Sequence, residues 1–174
     1  MNQIRLSGSG GQGVITAGII LAEAAIMEGK EAVQSQSYGP EARGGASKAE
    51  VIIADSFIYH PKVVTPNVVL AMTQQAAQKY IADLPTSGIL IIDEDLVPEV
   101  PVFGGRIVKT PITRLAQEKL GRDLFANIIA LGVLVKVTNV VSFETIQKAV
   151  AHRVPPATVA KNMEALRLGY ESVK

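Results

Sequence analysis

Six residues near the start of the chain, Gly8-Ser9-Gly10-Gly11-Gln12-Gly13, limit the fold more than any other stretch. They follow the short alternating run Ile4-Arg5-Leu6, which reads as a strand. They precede an Ala/Ile/Leu-rich run from Val14 to Glu28, which reads as a helix. Gly8, Gly10 and Gly13 thus fit the G-x-G-x-x-G pattern in the strand–turn–helix setting that the pattern requires. Glycine permits positive φ. It also leaves backbone N–H groups uncovered at a helix N-terminus, where the dipole favours anions. Two readings follow. Gly8, Gly10, Gly11, Gln12 and Gly13 form a phosphate cradle, or they form a tight turn that binds nothing.

The pattern along the rest of the chain is α/β. Strands are expected over Ala32–Ser37, Lys48–Ala54, Asn67–Met72, Gly88–Asp93 and Arg106–Thr110. Four consecutive apolar residues, Ile89 to Ile92, suit a strand covered on both faces, as in a parallel sheet. A helix is expected from Gln74 to Leu84. From Pro111 onward the pattern is helical, over Pro111–Leu120, Leu124–Val137, a helix capped by Ser142, and Ala157–Lys174. The fold class is therefore a three-layer Rossmann-like α/β domain, with a mostly parallel sheet and a C-terminal helical portion, spanning residues 1–174 as a single domain. Leu124–Val137 is apolar nearly all round, which marks either a buried helix or one covered by a partner. An exposed face of that kind would drive self-association of the chain on its own.

Composition removes several functions. The chain has no cysteine, so it cannot itself hold an ordinary iron–sulfur cluster or a cysteine-ligated zinc. Its two histidines, His60 and His152, lie far apart and read as surface residues. Asp93, Glu94 and Asp95 follow a strand and read as a cation site or, more simply, as a solvated connector. A net charge of +1 and 5% aromatic residues give no case for nucleic acid. No run reaches transmembrane length and no signal core is legible, so a soluble cytoplasmic protein without membrane contact is expected.

A dinucleotide reading needs an acidic residue near the end of the second strand, about 20 residues after the glycines. That region reads Val33-Gln34-Ser35-Gln36-Ser37, with Glu31 before it and Glu41 after it. A stand-alone nicotinamide-dependent dehydrogenase is thus the alternative rather than the leading reading. No Gly-Lys-Ser/Thr follows the glycines, so the loop is not a P-loop. A second loop, Tyr38-Gly39-Pro40-Glu41-Ala42-Arg43-Gly44-Gly45, is more distinctive. If the strands run parallel, it lies at the same sheet edge as the first loop. Arg43 is then a second phosphate or carboxylate contact, or it pairs with Glu41 or stays solvated.

Taken together, the two loops closely resemble the gamma subunit of 2-oxoacid:ferredoxin oxidoreductases. The resemblance is carried by Gly8–Gly13 running into Val14-Ile15-Thr16-Ala17-Gly18, by Ser37–Gly45, and by Asn127–Gly132. The Ser-Tyr-Gly-Pro-Glu form looks more like the 2-oxoglutarate or branched-chain 2-oxoacid branch. The resemblance implies oxidative decarboxylation of a 2-oxoacid with coenzyme A, giving acyl-coenzyme A, carbon dioxide and reduced ferredoxin. It implies coenzyme A binding by this chain through Gly8, Gly10, Gly11, Gln12, Gly13, Tyr38, Arg43, Gly44 and Gly45, with no catalytic residue of its own. It places thiamine diphosphate, magnesium and iron–sulfur clusters in alpha, beta and possibly delta subunits. The isolated chain would then be inactive, and a purely structural subunit is the remaining alternative.

Overall fold

The structure, a computed structural model, describes residues 1–37 and 46–173. Six strands form one sheet: β1 (Asn2–Ser9), β2 (Glu31–Gln36), β3 (Ala46–Ala54), β4 (Val68–Ala71), β5 (Ile89–Asp93) and β6 (Arg106–Thr110). Their order across the sheet is β2-β3-β1-β4-β5-β6. The pairings β1/β4, β4/β5 and β5/β6 are parallel, whereas β1/β3 and β2/β3 are antiparallel. The helices are α1 (Val14–Met27), α2 (Gln74–Tyr80), α3 (Ile112–Leu120), α4 (Ala126–Thr138), α5 (Phe143–Arg153) and α6 (Val159–Ser172).

Period-two alternation builds two cores on one sheet. Ile4, Leu6, Val51, Ile53, Val68, Leu70 and Ile91 face α1 and the C-terminal helices. Val69, Ala71, Leu90 and Ile92 face α2 and the segment that carries Val97. Leu90, Ile91 and Ile92 have no exposed surface, as a strand covered on both faces demands.

The antiparallel placement of β3 differs from the parallel arrangement assumed for the second loop. The loop itself lies outside the described residues, but the strands on either side of it are placed. Strand β2 runs with β1 and β3 runs against it, so the chain leaves β2 and enters β3 at the carboxyl end of β1. There Ala46 is the register partner of Ser9.

Helix α4 is apolar all round because its own chain covers it: Ala126 to Val135 are all buried, within the same core as α1, α3, α5 and α6. Its composition therefore gives no argument for a partner surface. The crossing of α4 and α6 is very close. A Cβ at Gly169 would lie 1.9 Å from the Ile129 carbonyl oxygen, and one at Gly132 would lie 2.2 Å from that of Leu166. The buried line of α6 is Asn162, Ala165, Leu166 and Gly169, with Met163 and Tyr170 partly buried beside it.

Polar contacts fasten the layers. On the α2 side, Arg5 is only 3% exposed. Its guanidinium meets Glu50 at 2.8 Å, Asp83 at 2.5 Å and the Tyr80 ring at 5.0 Å. At the other end of the sheet, the Glu28 carboxylate accepts from Lys30 Nζ at 2.9 Å and from the Ser142 N–H at 2.7 Å, tying the end of α1 to the start of α5. Burial alone would raise the Glu28 pKa, but these bonds prevail and lower it from 4.5 to about 2.

Three substitutions test these contacts. Gly169→Ala should cost about 2–4 kcal/mol in urea unfolding, since backbone must move to admit the methyl group. Gly29→Ala, at φ +75° in open space, should cost only about 1 kcal/mol. Because the folded pKa of Glu28 is depressed, its contribution is complete above pH 4.5 and fades as pH falls toward 2. Glu28→Gln should therefore destabilise by up to about 3 kcal/mol at pH 7 and progressively less below pH 4.5. A pH-independent difference between the two proteins would exclude the linkage.

Candidate functional site

Strand β1 leads into α1 on one face of the sheet, and its parallel neighbour β4 leads into α2 on the other. Adjacent strands whose connections part in this way leave a crevice at their carboxyl ends, where ligands bind in open α/β sheets. The glycine loop sits at that point. Gly11 has φ +88° and Gly13 has φ +74°, so both use backbone conformations that a side chain would strain.

Gly8, Ser9, Gly11, Gln12 and Gly13 each have a defined contact or conformation. Gln12 folds back: its Oε1 accepts the Ser9 N–H at 2.7 Å, while its Nε2 reaches the Met72 carbonyl at 3.5 Å. The side chain thereby straps the loop across the crevice to the end of β4. Gly8 must be small because a Cβ there would meet Gln12 Oε1 at 2.3 Å. Gly13 must be small because a Cβ there would meet Asn127 Nδ2 at 2.5 Å. Asn127 Nδ2 donates to the Gly13 carbonyl at 3.2 Å and Asn127 Oδ1 accepts the Ile128 N–H at 3.0 Å, so Asn127 couples the loop to the start of α4. Gly11 differs from both, since a Cβ there would have nothing within 4 Å. The backbone at Gly11 is open to whatever occupies the cleft.

Helix α1 begins without a side-chain cap at Gly13, and its first helical hydrogen bond runs from the Ala17 N–H to the Gly13 carbonyl at 3.1 Å. The amides before Ala17 are the orphan donors that suit an anion. The starts of α4 and α6 also border this cleft and also lack side-chain caps. By contrast Thr73 caps α2 and Ser142 caps α5, both away from it. The first turns of α1, α4 and α6 thus border one space of about 590 Å³.

The acidic triplet resolves as structure. Asp93 has no exposed surface and accepts the Thr113 N–H at 2.9 Å, the Thr113 hydroxyl at 2.5 Å and the Asp95 N–H at 3.2 Å. It holds the start of α3 against the end of β5. Burial raises its pKa, against the pull of those bonds. Glu94 and Asp95 pair with Arg114. Among the described residues no group of three metal-ligating side chains is gathered. His60 and His152 are exposed. Among the described residues no helix is long and apolar enough to cross a membrane.

The nicotinamide alternative loses ground on geometry. The antiparallel β3 separates β2 from β1, and the only carboxylate of β2, Glu31, stands at the end remote from the glycine loop. Tyr38, Arg43, Gly44 and Gly45 lie outside the described residues; their flanks, Ser37 and Ala46, stand at the carboxyl end of β1. Asn127 and Asn162, which line the cleft, are not among the expected site residues. Asn127 opens the segment Asn127–Gly132 that carries the resemblance, whereas the only sequence signal of Asn162 is a polar side chain inside an otherwise apolar helical stripe.

The sequence pattern of pyruvate ferredoxin/flavodoxin oxidoreductases matches residues 3–172. The chain belongs to the pyruvate ferredoxin/flavodoxin oxidoreductase family. Within this family it is 49% identical over 178 residues to the 2-oxoglutarate synthase subunit KorC of Methanocaldococcus jannaschii, covering 99% of this chain and 94% of that one. It is 34% identical to the ketoisovalerate oxidoreductase subunit VorA of Methanothermobacter thermautotrophicus, over 76% of this chain and 27% of that one. Among solved structures, the keto/oxoacid ferredoxin oxidoreductase gamma subunit from Geobacter sulfurreducens superposes with a TM-score of 0.90 at 50% identity, covering 99% and 98% of the two chains. The six-stranded mixed sheet with its helices is thus the fold of oxidoreductase gamma subunits.

The strap makes a testable claim. Gln12→Ala leaves the Ser9 N–H without its partner and frees the loop from β4, so unfolding should shift by about 1–2 kcal/mol. Amide exchange of residues 9–14 should quicken. A loop whose exchange is unchanged in the variant would exclude a holding role for Gln12.

Proposed function

We propose that this chain is the gamma subunit of a 2-oxoglutarate:ferredoxin oxidoreductase, and that it holds coenzyme A at the glycine loop while companion subunits carry out the chemistry. The reaction consumes a 2-oxoacid, coenzyme A and two oxidised ferredoxins. It yields acyl-coenzyme A, carbon dioxide, two reduced ferredoxins and a proton. The 2-oxoglutarate branch is favoured over 2-oxoisovalerate by 49% identity to KorC against 34% to VorA. Thiamine diphosphate, magnesium and iron–sulfur clusters belong, in this reading, to alpha, beta and possibly delta subunits, since no cysteine is available here as a cluster ligand. Residues 1–174 act as one unit of that assembly.

One observation carries the coenzyme A assignment: Gly11 combines positive φ with open space beside it, next to the uncapped start of α1. A packing turn would not need an uncovered backbone there, whereas a phosphate approaching the α1 amides does. The residues present suit the ligand. Orphan amides at the start of α1 meet its phosphates, where that helix dipole favours an anion, and apolar walls meet its neutral parts. The work of this chain is to bind and orient; thiamine diphosphate, when bound in a companion subunit, supplies the carbanion chemistry of decarboxylation.

Gly11→Val tests the assignment in the assembled complex. Lost charge-assisted hydrogen bonds and backbone strain should together cost about 2–4 kcal/mol, a rise of thirty- to a thousandfold in the apparent dissociation constant of coenzyme A. Carbon dioxide release in the absence of coenzyme A should proceed, because that half-reaction uses other subunits. Unchanged coenzyme A dependence would reject the cradle. Equal loss of both half-reactions would instead support a purely structural loop between subunits.

A further inference from the structure

Strand β2 is an edge of the sheet. The Ser37 N–H donates to the Lys48 carbonyl at 3.3 Å, and Ser37 and Lys48 are the next opposed pair of the β2/β3 ladder. Alternation along an antiparallel ladder then turns the N–H and C=O groups of Glu31, Val33 and Ser35 toward β3, and those of Ala32 and Gln34 outward. Among the described residues no backbone group meets those outward groups. A free edge of this kind is ordinarily protected by charge or proline. The opposite edge strand, β6, carries Arg106 and Lys109. Strand β2 has no lysine, arginine or proline, and its one charge, Glu31, stands at its first position. The helix above this edge is also unprotected. Helix α1 packs over β2 and β3, and a Cβ at Gly18 would meet Ala49 and Val51 of β3 and Gln34 of β2. Helical spacing sets Ile15, Ile19, Ala22 and Ile26 on the flank beyond Gly18, above the free edge. On the other side of the helix Ile20 and Ala24 are buried in the core. Ile26 is 59% exposed, and Ile15 and Ile19 are only partly buried.

We propose that this surface pairs with a second copy of this chain: β2 meets β2 antiparallel about a two-fold axis at Val33, and α1 meets α1 along the isoleucine flank. The axis sets Ala32 of one protomer opposite Gln34 of its partner, and the reverse, so each outward N–H and C=O group gains a bond. Glu31 falls opposite Ser35, so no like charges meet across the ladder. Spacing favours a second copy over a lone strand. Paired strands stand about 4.8 Å apart, so a helix centred over β2 and β3 comes to lie about 10 Å from its symmetry mate. That is the distance at which helix axes pack. A single strand added from another chain would satisfy the edge but leave the isoleucine flank in water. The paired surface is about 20 Å long and covers both the strand and helix layers, on the order of 600 Å² a side, the low end of specific interfaces. Self-association thereby has a seat other than α4. The cleft at the glycine loop stays open, because Thr16, which lines it, lies off this flank.

The chain has no cysteine, so one introduced thiol reports the axis. Non-hydrogen-bonded partners in an antiparallel pair stand about 4.5 Å apart at Cα, within disulfide reach. The full chain carrying Val33→Cys, oxidised at about 50 μM, should convert to a disulfide-linked dimer. Val102→Cys, on a fully exposed residue just before the opposite edge strand, should cross-link about tenfold less under the same conditions. In sedimentation the wild type should dimerise with a dissociation constant in the range of about 1–100 μM, as so small an area allows. Ile26→Lys and Gln34→Pro should each raise that constant by about tenfold or more. Proline at position 34 removes an outward donor and no bond of the β2/β3 ladder. Ile26→Lys, on an exposed residue, keeps the test decisive if Gln34→Pro folds poorly. A wild type that stays monomeric at about 100 μM would overturn the pairing. So would equal cross-linking at positions 33 and 102, or a dimer that neither substitution weakens, since association would then use another face. In the assembled complex, Val33→Cys should again link to its own copy. A link to a companion chain would assign the edge to that chain and reject the second copy.

Discussion

The constraint on which the rest of this structure depends is the turn that takes β1 into α1. Two positive φ angles within three residues, at Gly11 and Gly13, bring the chain from the middle of the sheet to the start of a buried helix. The turn is held from both sides. Gln12 ties it to the end of β4, and Asn127 ties it to the start of α4. Side chains thereby satisfy the loop backbone on its inner side and leave the outer side, at Gly11, bare. A loop fastened on one side and open on the other is preorganised for an anion, because its amides need no reordering when the ligand arrives.

The layers beneath the turn serve that arrangement. Arg5 lies directly opposite Glu50 on the neighbouring strand and beneath Tyr80, whose hydroxyl donates to the Ala46 carbonyl at 3.0 Å. A charge so buried is tolerable only because partners meet it on both sides. The effect is to pin the start of β3 where it faces the end of β1. On the opposite face, the glycines of α4 and α6 let two helix backbones touch. That closeness brings the N-terminal ends of both helices to the rim of one cleft. Packing, capping and cleft geometry are therefore one problem here: a methyl group at Gly169 would displace a helix whose first turn borders the cleft.

Much of this was legible in order along the chain. Strand and helix periods, the glycine pattern, the Ser142 cap and the doubly covered β5 are local or nearly local features, and each segment's own residues decide them. The resemblance carried by the two loops pointed to the right family for the same reason, since motifs are local. The antiparallel insertion of β3 was not legible, because no residue in β2 or β3 states which neighbour it will pair with. The all-round apolar run of α4 was equally ambiguous. Periodicity cannot tell a helix wrapped by its own chain from one wrapped by another.

Residue order alone settled the elements, their α/β class, the glycine turn and, through its lack of cysteine, that this chain offers no thiolate to a cluster. Tertiary structure decided what those elements do to one another. It made Asp93 a helix anchor instead of a cation ligand, Gln12 a strap, and Asn127 a clamp. It also brought Asn127 and Asn162 to one cleft built from segments far apart in the chain. The physical reason is that a side chain's chemistry is set by its partners and its exposure to water. Those depend on contacts between residues more than a hundred positions apart, such as Gly13 with Asn127, which only the folded chain brings together.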